Sequence, residues 1–190
     1  VYKRREPGRQ GERLGEDRAR LYFRQILSGV EYMHANGIMH RDIKPDNILM
    51  SNELVCKISD FGVSKMIWES GSDLVHQSVG TPAFMSPELC HIGAVESHGY
   101  SDDVWALGIT LYALLMGRLP FYRDDLFELY EAIQHDELCL NDCRASLACQ
   151  DLLRSMLDKA EPNRISVPDM FKHPWVTDHG RDPMPPLTLT

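Results

Sequence analysis

The spacing of apolar residues divides the chain into a helical majority and a short β-rich centre. Ala19, Phe23, Ile26, Leu27, Val30 and His34 recur at helical spacing and line one face of a helix from Glu16 to Ala35. Glu16 and Asp17 suit its first turn, and Asn36-Gly37 is a stop signal. Val104-Trp105-Ala106-Leu107-Gly108-Ile109 is apolar all round, which predicts a wholly buried helix. It should start at Ser101 or Asp102 as cap, run to about Met116 and end at Gly117. Leu126, Phe127, Leu129, Tyr130 and Ile133 mark an amphipathic helix over 124–134. Leu147, Leu152, Leu153, Met156 and Leu157 mark another, and 167–172 a last short one packed down by His173-Pro174-Trp175.

The period changes between the first helix and the buried one. Ile38-Met39, Ile48-Leu49-Met50 and Val55-Cys56-Lys57-Ile58 are short strand-like runs, the last two joined by a turn at Asn52-Glu53. That hairpin puts Asn47 just before one strand and Asp60 just after the other. Residues 1–15, rich in Arg, Lys, Glu and Gly, predict a solvated segment, and the Pro-rich residues 177–190 an extended or disordered tail. The expected class is mainly α with a few short β-strands.

Bulk properties narrow the function. A net charge of −8 argues against nucleic acid or an anionic membrane as a general partner. The longest apolar run, 104–116, is too short to span a bilayer. Five cysteines show no framework spacing and no C-x-x-C pair, so reduced thiols in a cytoplasmic protein are expected, with the nucleus the alternative location. The first residue is Val1 rather than Met, as in a piece of a longer chain.

The chemistry concentrates in His40-Arg41-Asp42-Ile43-Lys44-Pro45-Asp46-Asn47 and, a little further on, Asp60-Phe61-Gly62. Phosphoryl transfer asks a protein for positioning and electrostatics more than for covalent chemistry. Asp42 suits the carboxylate that takes a hydroxyl proton and aims the acceptor. Lys44 is a cation two residues away that can neutralise the moving group. Asn47 and Asp60 offer the oxygen ligands that Mg²⁺ prefers. H-R-D-x-x-x-x-N followed by D-F-G is the protein-kinase signature set, with His40, Arg41, Phe61 and Gly62 as its structural frame.

On these motifs the chain from about Glu16 to Trp175 resembles the C-terminal lobe of a eukaryotic protein kinase, assigned to residues 16–176, with the N-terminal lobe absent from these residues. Lys44 after the aspartate resembles the serine/threonine branch. The resemblance implies ATP and Mg²⁺ as cofactors and a protein substrate. It makes residues 60–88 an activation segment ending in Ser86-Pro87-Glu88, where the family usually has Ala-Pro-Glu; Ser86 reads as one small residue for another. It implies that Thr81 bonds to Asp42 and Lys44, although a plain turn residue is the alternative. It pairs Asp103 with the backbone of the His-Arg-Asp turn and Arg164 with Glu88, both structural. Arg41 could grip a phosphate on Ser70, Ser72, Ser78 or Thr81, or meet a standing charge from Glu69 or Asp73; the sequence leaves these open. The helix over 124–134 either docks partners or simply packs.

Gly80-Thr81-Pro82-Ala83-Phe84-Met85-Ser86-Pro87-Glu88 and His173-Pro174-Trp175-Val176-Thr177-Asp178-His179-Gly180 resemble calcium/calmodulin-dependent protein kinase kinases and related upstream kinases. That resemblance implies phosphorylation of an activation-loop threonine on another kinase, with calmodulin acting only through segments outside this chain. The 190 residues contain no G-x-G-x-x-G-x-V loop and no V-A-I-K strand. ATP would find half a site, with Leu49 as an adenine floor. Losing one preorganised electrostatic contact costs roughly 10²–10³ in rate, so these residues by themselves are expected to lack useful activity. Two function classes follow: the catalytic half of an active serine/threonine kinase, or an inactive lobe used as a binding or regulatory module.

Overall fold

The computed structural model describes residues 13–67, 71–91 and 96–186. Its centre is helix α2 (Gly99–Met116), in which fifteen of eighteen residues are buried, charged ones included. A helix with that pattern has no solvent face, and everything else is arranged around it. Its αL cap falls at Gly117, with φ of 66°, as expected. Its start differs from expectation: the helix begins at Gly99, and no side chain caps it. Asp102 is instead buried inside the first turns.

Helix α1 (Glu16–Ala35) packs its apolar face on α2, with Tyr22 and Met33 joining the expected buried positions. Each fully buried Leu or Ile of this seam, such as Leu27, Leu107 and Leu111, contributes about 1.5–3 kcal/mol relative to exposure. Trp175 closes the far end of α1. Its ring meets Phe23 edge-on at 5.6 Å, and its Nε1 donates to Glu16 Oε1 at 2.7 Å.

The strands form three two-stranded antiparallel sheets among the described residues. In the first, β1 (Ile38–Met39) pairs with β4 (Lys65–Met66). The expected hairpin is β2 (Ile48–Met50) with β3 (Cys56–Ile58). In the third, β5 (Leu74–Val75) pairs with β6 (Ser97–His98) and ties the middle of the 60–88 segment to the entrance of α2. Strands β4, β5 and β6 are two residues long and leave no periodic trace in the sequence.

Helix α3 (Leu126–His135) is capped by Asp125, α4 (Leu147–Met156) by Ser146, and α5 (Val167–Met170) by Ser166. Their apolar faces are narrower than expected: Leu126, Phe127 and Leu147 are exposed, Leu147 by 82%. Residues 1–12 of the expected solvated segment lie outside the described residues. Leu14, within it, donates its N–H to Leu114 O at 2.9 Å and packs on the core.

The tail also departs from expectation. Val176 and Thr177 are buried, and the chain as far as Asp182 is folded in turns rather than extended. Arg24 of α1 explains why: its guanidinium donates to Val176 O at 2.8 Å, Asp182 O at 2.7 Å and Asp182 Oδ1 at 3.0 Å. Among the described residues, no helix is long and apolar enough to cross a membrane.

Arg164 stitches the lower half together. Its Nη2 donates to both Glu88 oxygens, at 2.8 and 3.1 Å. Nη1 donates to Ser101 Oγ, and Nε to Asp158 O. The Arg164 side chain has no exposed surface. Breaking a buried pair from one side strands the other charge. Arg164→Ala should therefore lower unfolding stability by about 3–5 kcal/mol. An apolar pair at positions 88 and 164 should lose less than that single variant. Urea denaturation midpoints of the three proteins measure both.

Candidate active site

The site is built outward from α2. Asp103, with no exposed surface, accepts the His40 N–H at 2.9 Å and the Arg41 N–H at 2.8 Å. His34 Nε2 lies 2.9 Å from the same carboxylate, and its ring meets Tyr100 at a tilt of 36°, with centroids 4.3 Å apart. His34 is thus a satisfied structural histidine. These contacts hold Arg41 in a left-handed conformation, φ of 70°, that an L residue adopts at some cost. The sharp turn that results presents Asp42.

His40 fixes the same turn from inside. It is fully buried, its Nε2 lies 3.1 Å from Ser59 O, and its Nδ1 faces the Asp42 N–H at 3.3 Å. A neutral ring that donates from Nε2 and accepts at Nδ1 satisfies both contacts. Phe61 leans on that ring edge-on at 5.0 Å. Ser59 in turn donates its N–H and Oγ–H to Asn47 O at 2.9 and 3.0 Å, so the end of β3 is fastened to the start of β2.

Asp42 is the focus. Its Oδ1 accepts the Thr81 N–H at 3.0 Å and the Thr81 hydroxyl at 2.7 Å. Its Oδ2 accepts Lys44 Nζ at 2.6 Å and Asn47 Nδ2 at 3.0 Å. Lys44 Nζ also donates to Thr81 Oγ1 at 2.5 Å. Burial by itself pushes the Asp42 carboxyl up. The bonds from Lys44, Thr81 and Asn47, with the Lys44 charge, outweigh that and hold it below its usual value. Asp42 is an ionised carboxylate with its four acceptor directions in use.

Thr81 reaches Asp42 because of Gly80. There φ is 110°, and a Cβ would stand 2.5 Å from the Arg41 carbonyl oxygen. Only glycine lets the 60–88 segment cross the His40–Asp42 turn so closely. The sequence contains Gly80, but its role shows only once the two segments are seen to touch.

Asn47 gives its amide nitrogen to Asp42 O at 2.8 Å as well as to Oδ2, which leaves its oxygen as the atom for a cation. Asp60 is exposed, with φ of 66°, and its Oδ1 accepts the Gly62 N–H at 3.3 Å. It stands beside the Asn47 strand but outside the Asp42 group. Among the described residues no three His, Cys, Asp or Glu side chains cluster as a metal cage. Two oxygen ligands fit Mg²⁺, which keeps waters and phosphate oxygens in its shell. Leu49 is 58% exposed and borders a cavity of about 460 Å³ that Tyr22, Ile26 and Leu114 also line.

Arg41 Nη2 donates to Gln77 O at 3.0 Å rather than to an acid of the segment. Burial pushes its guanidinium down, and Asp102 and Asp103 oppose that. Asp73 pairs with His98 Nδ1 at 3.0 Å. Ser78 donates to Leu89 O at 3.0 Å, and Ser72 Oγ accepts the Leu74 N–H at 3.1 Å. Glu69 and Ser70 lie outside the described residues.

An ionised carboxylate shared by a lysine, a threonine and an asparagine, near two side-chain oxygens of a kind that could hold a hard cation, is suited to orienting a hydroxyl for phosphoryl transfer. The comparisons agree with that class. The family model described as "Protein kinase domain" matches residues 4–176, and the chain belongs to this family. It is similar to a calcium/calmodulin-dependent protein kinase kinase of Emericella nidulans, with 42% identity over 171 residues, 90% of this chain and 33% of that protein. Similarity to a protein of the same description from Caenorhabditis elegans is 42% over 175 residues, 90% of this chain and 32% of that one. The serine/threonine-protein kinase GRIK2 of Arabidopsis thaliana is 38% identical over 163 residues, 86% of this chain and 40% of its own length. The chain thus spans 32% to 40% of the length of these relatives.

The Thr81 contact makes a prediction about titration. A depressed carboxyl contributes stability above its unfolded value and loses it as pH falls through the folded value. Thr81→Val should raise the Asp42 carboxyl toward 3.8, its ordinary value. The variant's stability deficit against wild type should be constant near neutrality and shrink below about pH 4. Carboxyl-carbon NMR titration and denaturation at two pH values read both.

Proposed function

We propose that residues 16–176 form the C-terminal lobe of a serine/threonine protein kinase that moves the γ-phosphoryl group of ATP to protein hydroxyls. The observation that carries this reading is the Asp42 carboxylate, held ionised by Lys44, Thr81 and Asn47. Asp42 takes the proton of the attacking hydroxyl. Because both its oxygens already accept two hydrogen bonds each, an incoming hydroxyl displaces or shares the place of Thr81 or Lys44. Lys44 then sits beside both the base and the phosphoryl group in transit. Asn47 and Asp60 would hold Mg²⁺, which offsets phosphate charge when bound. Leu49, at the mouth of its cavity, suits the underside of an adenine.

The relatives named as protein kinase kinases support a second kinase as substrate, with an activation-loop threonine as acceptor. Calmodulin, in the names of the same relatives, would reach this protein only through segments outside these residues. The 190 residues contain neither a phosphate-covering glycine loop nor a V-A-I-K lysine, so measured by themselves they should transfer phosphate poorly.

In the natural full-length protein, Asp42→Asn should lower kcat by about 10²–10⁴, the range of a general base. The KM for ATP and the Tm should hardly change. Transfer from radiolabelled ATP to an inactive kinase, with the labelled residue mapped, measures both rate and acceptor. A variant with wild-type rate would remove Asp42 from the mechanism. A wild type that binds the kinase but transfers nothing would favour the binding-module reading.

A further inference from the structure

Asp102 stands one residue before Asp103 and is buried. Its Oδ1 accepts the Ser86 hydroxyl at 2.5 Å, and its Oδ2 accepts the Ser97 hydroxyl at 2.7 Å. Both serines are buried as well. Ser86 begins the Ser-Pro-Glu end of the activation segment. Ser97 lies in β6, which is paired with β5 in the middle of that segment. A single carboxylate therefore fastens the segment at its end directly and at its middle through the ladder. Between Asp102 and the catalytic turn is a cavity of about 20 Å³ lined by Arg41, Asp42, Thr81, Ser86, Asp102 and Asp103. Val79, Phe84, Met85 and Leu89 line it as well, so its walls are part polar and part apolar, with room for about one water.

We propose that Asp102 is a positioning residue for phosphoryl transfer: its ionised carboxylate clamps Ser86 and Ser97 and so fixes the activation segment where Thr81 meets Asp42. The effect on rate rests on the kinase reading above; the clamp itself does not. Asp103 holds the catalytic turn and Asp102 holds the segment that crosses it, so consecutive residues of one rigid helix set both sides of the Asp42–Thr81 contact.

Charge matters to the clamp, because a carboxylate accepts a hydroxyl about twice as strongly as a neutral oxygen does. Burial opposes that charge and pushes the Asp102 carboxyl up to about 6. The serines and Arg164 favour the ionised form, and Glu88 disfavours it. Arg41 from the catalytic turn, His98 and Cys90 also feel the charge, and Asp103 neighbours it in the helix. A raised carboxyl binds its proton more tightly in the folded state, so ionisation lowers stability as pH rises through the folded value. A neutral isostere should consequently fold well at neutral pH. The clamp is strongest above about 6 and weakens below it.

Amide hydrogen exchange on the natural full-length protein tests this without relying on activity. In Asp102→Asn at neutral pH, the Thr81, Phe84 and Leu89 amides should exchange about five- to tenfold faster, the loss expected when charge-assisted bonds become neutral ones. Amides late in α2 and the Tm should hold. Asp102→Leu, which removes both acceptors, should loosen the same amides further. The kcat should fall by a similar factor with the KM for ATP unchanged. Below the Asp102 pKa, wild type and Asp102→Asn should converge once intrinsic exchange is corrected for. Equal protection of Thr81 and Leu89 in wild type and both variants overturns the clamp, whether or not the protein transfers phosphate. The expected exchange response in a wild type that transfers none would sink the kinase reading and leave the clamp standing.

Discussion

A carboxylate without exposed surface needs donors brought to it, and Asp103 receives them from the peptide backbone of the His40–Asp42 turn. The rest of the site depends on that arrangement. Losing both amide donors would leave the buried carboxylate with His34 as its remaining partner among the described residues, so the turn cannot leave Asp103 without a large penalty. The helix that holds Asp103 is itself surrounded by core and cannot tilt to follow a misplaced turn. The backbone cost of putting Arg41 at positive φ, about 1–2 kcal/mol, is offset by these bonds to Asp103 together with those of the His40 ring. Asp42 is held at a fixed point on its loop because that loop hangs from a helix buried on nearly every side.

The electrostatics follow from the same economy of space. Asp42 is partly buried, yet its charge persists because a cation and three neutral donors surround it. These four donors come from three residues in different places, Thr81 giving two of them. Lys44 lies on the same loop, Asn47 leads into β2, and Thr81 arrives from a segment almost forty positions away. The first two are local and nearly unavoidable once the loop folds. Thr81 is the conditional member, since it depends on how the 60–88 segment is laid across the turn and on Gly80 having no side chain.

That division also explains what could be read from the chain beforehand. The loop residues carry a fixed spacing, so Asp42, Lys44 and Asn47 were legible as a group. The buried helix announced itself through an uninterrupted apolar run, and α1 through its period. Ser86 was not legible. As a small residue in place of another it looks neutral, and its hydroxyl acquires meaning only when the position proves to be buried. Asp102 was misread for a related reason: an acid near a helix start fits a cap, and only the three-dimensional position of Ser86 and Ser97 shows it turned inward. Strands β4, β5 and β6 escaped because pairing that short has no period. The folded tail escaped because its anchor, Arg24, sits about 150 residues earlier.

Asp60 is the second residue of the site at positive φ, and its support differs from that of Arg41. Aspartate tolerates the left-handed region better than most residues, since its side chain can bond to nearby backbone, here the Gly62 N–H. Asp60 is exposed and lacks a buried partner of the Asp103 kind, so less holds it in place. The two conformations therefore mark different mechanical roles within a short stretch of chain. Arg41 is locked by the core and defines a fixed point for Asp42. Among the described residues Asp60 is fastened through Ser59 and its own turn, which leaves the Asp60 side of the site the more adjustable of the two. The base proposed at Asp42 must stay put and the ligand proposed at Asp60 must adapt to phosphate and cation; the asymmetry suits both, and it arises here from how deeply each turn is anchored rather than from any difference in backbone geometry.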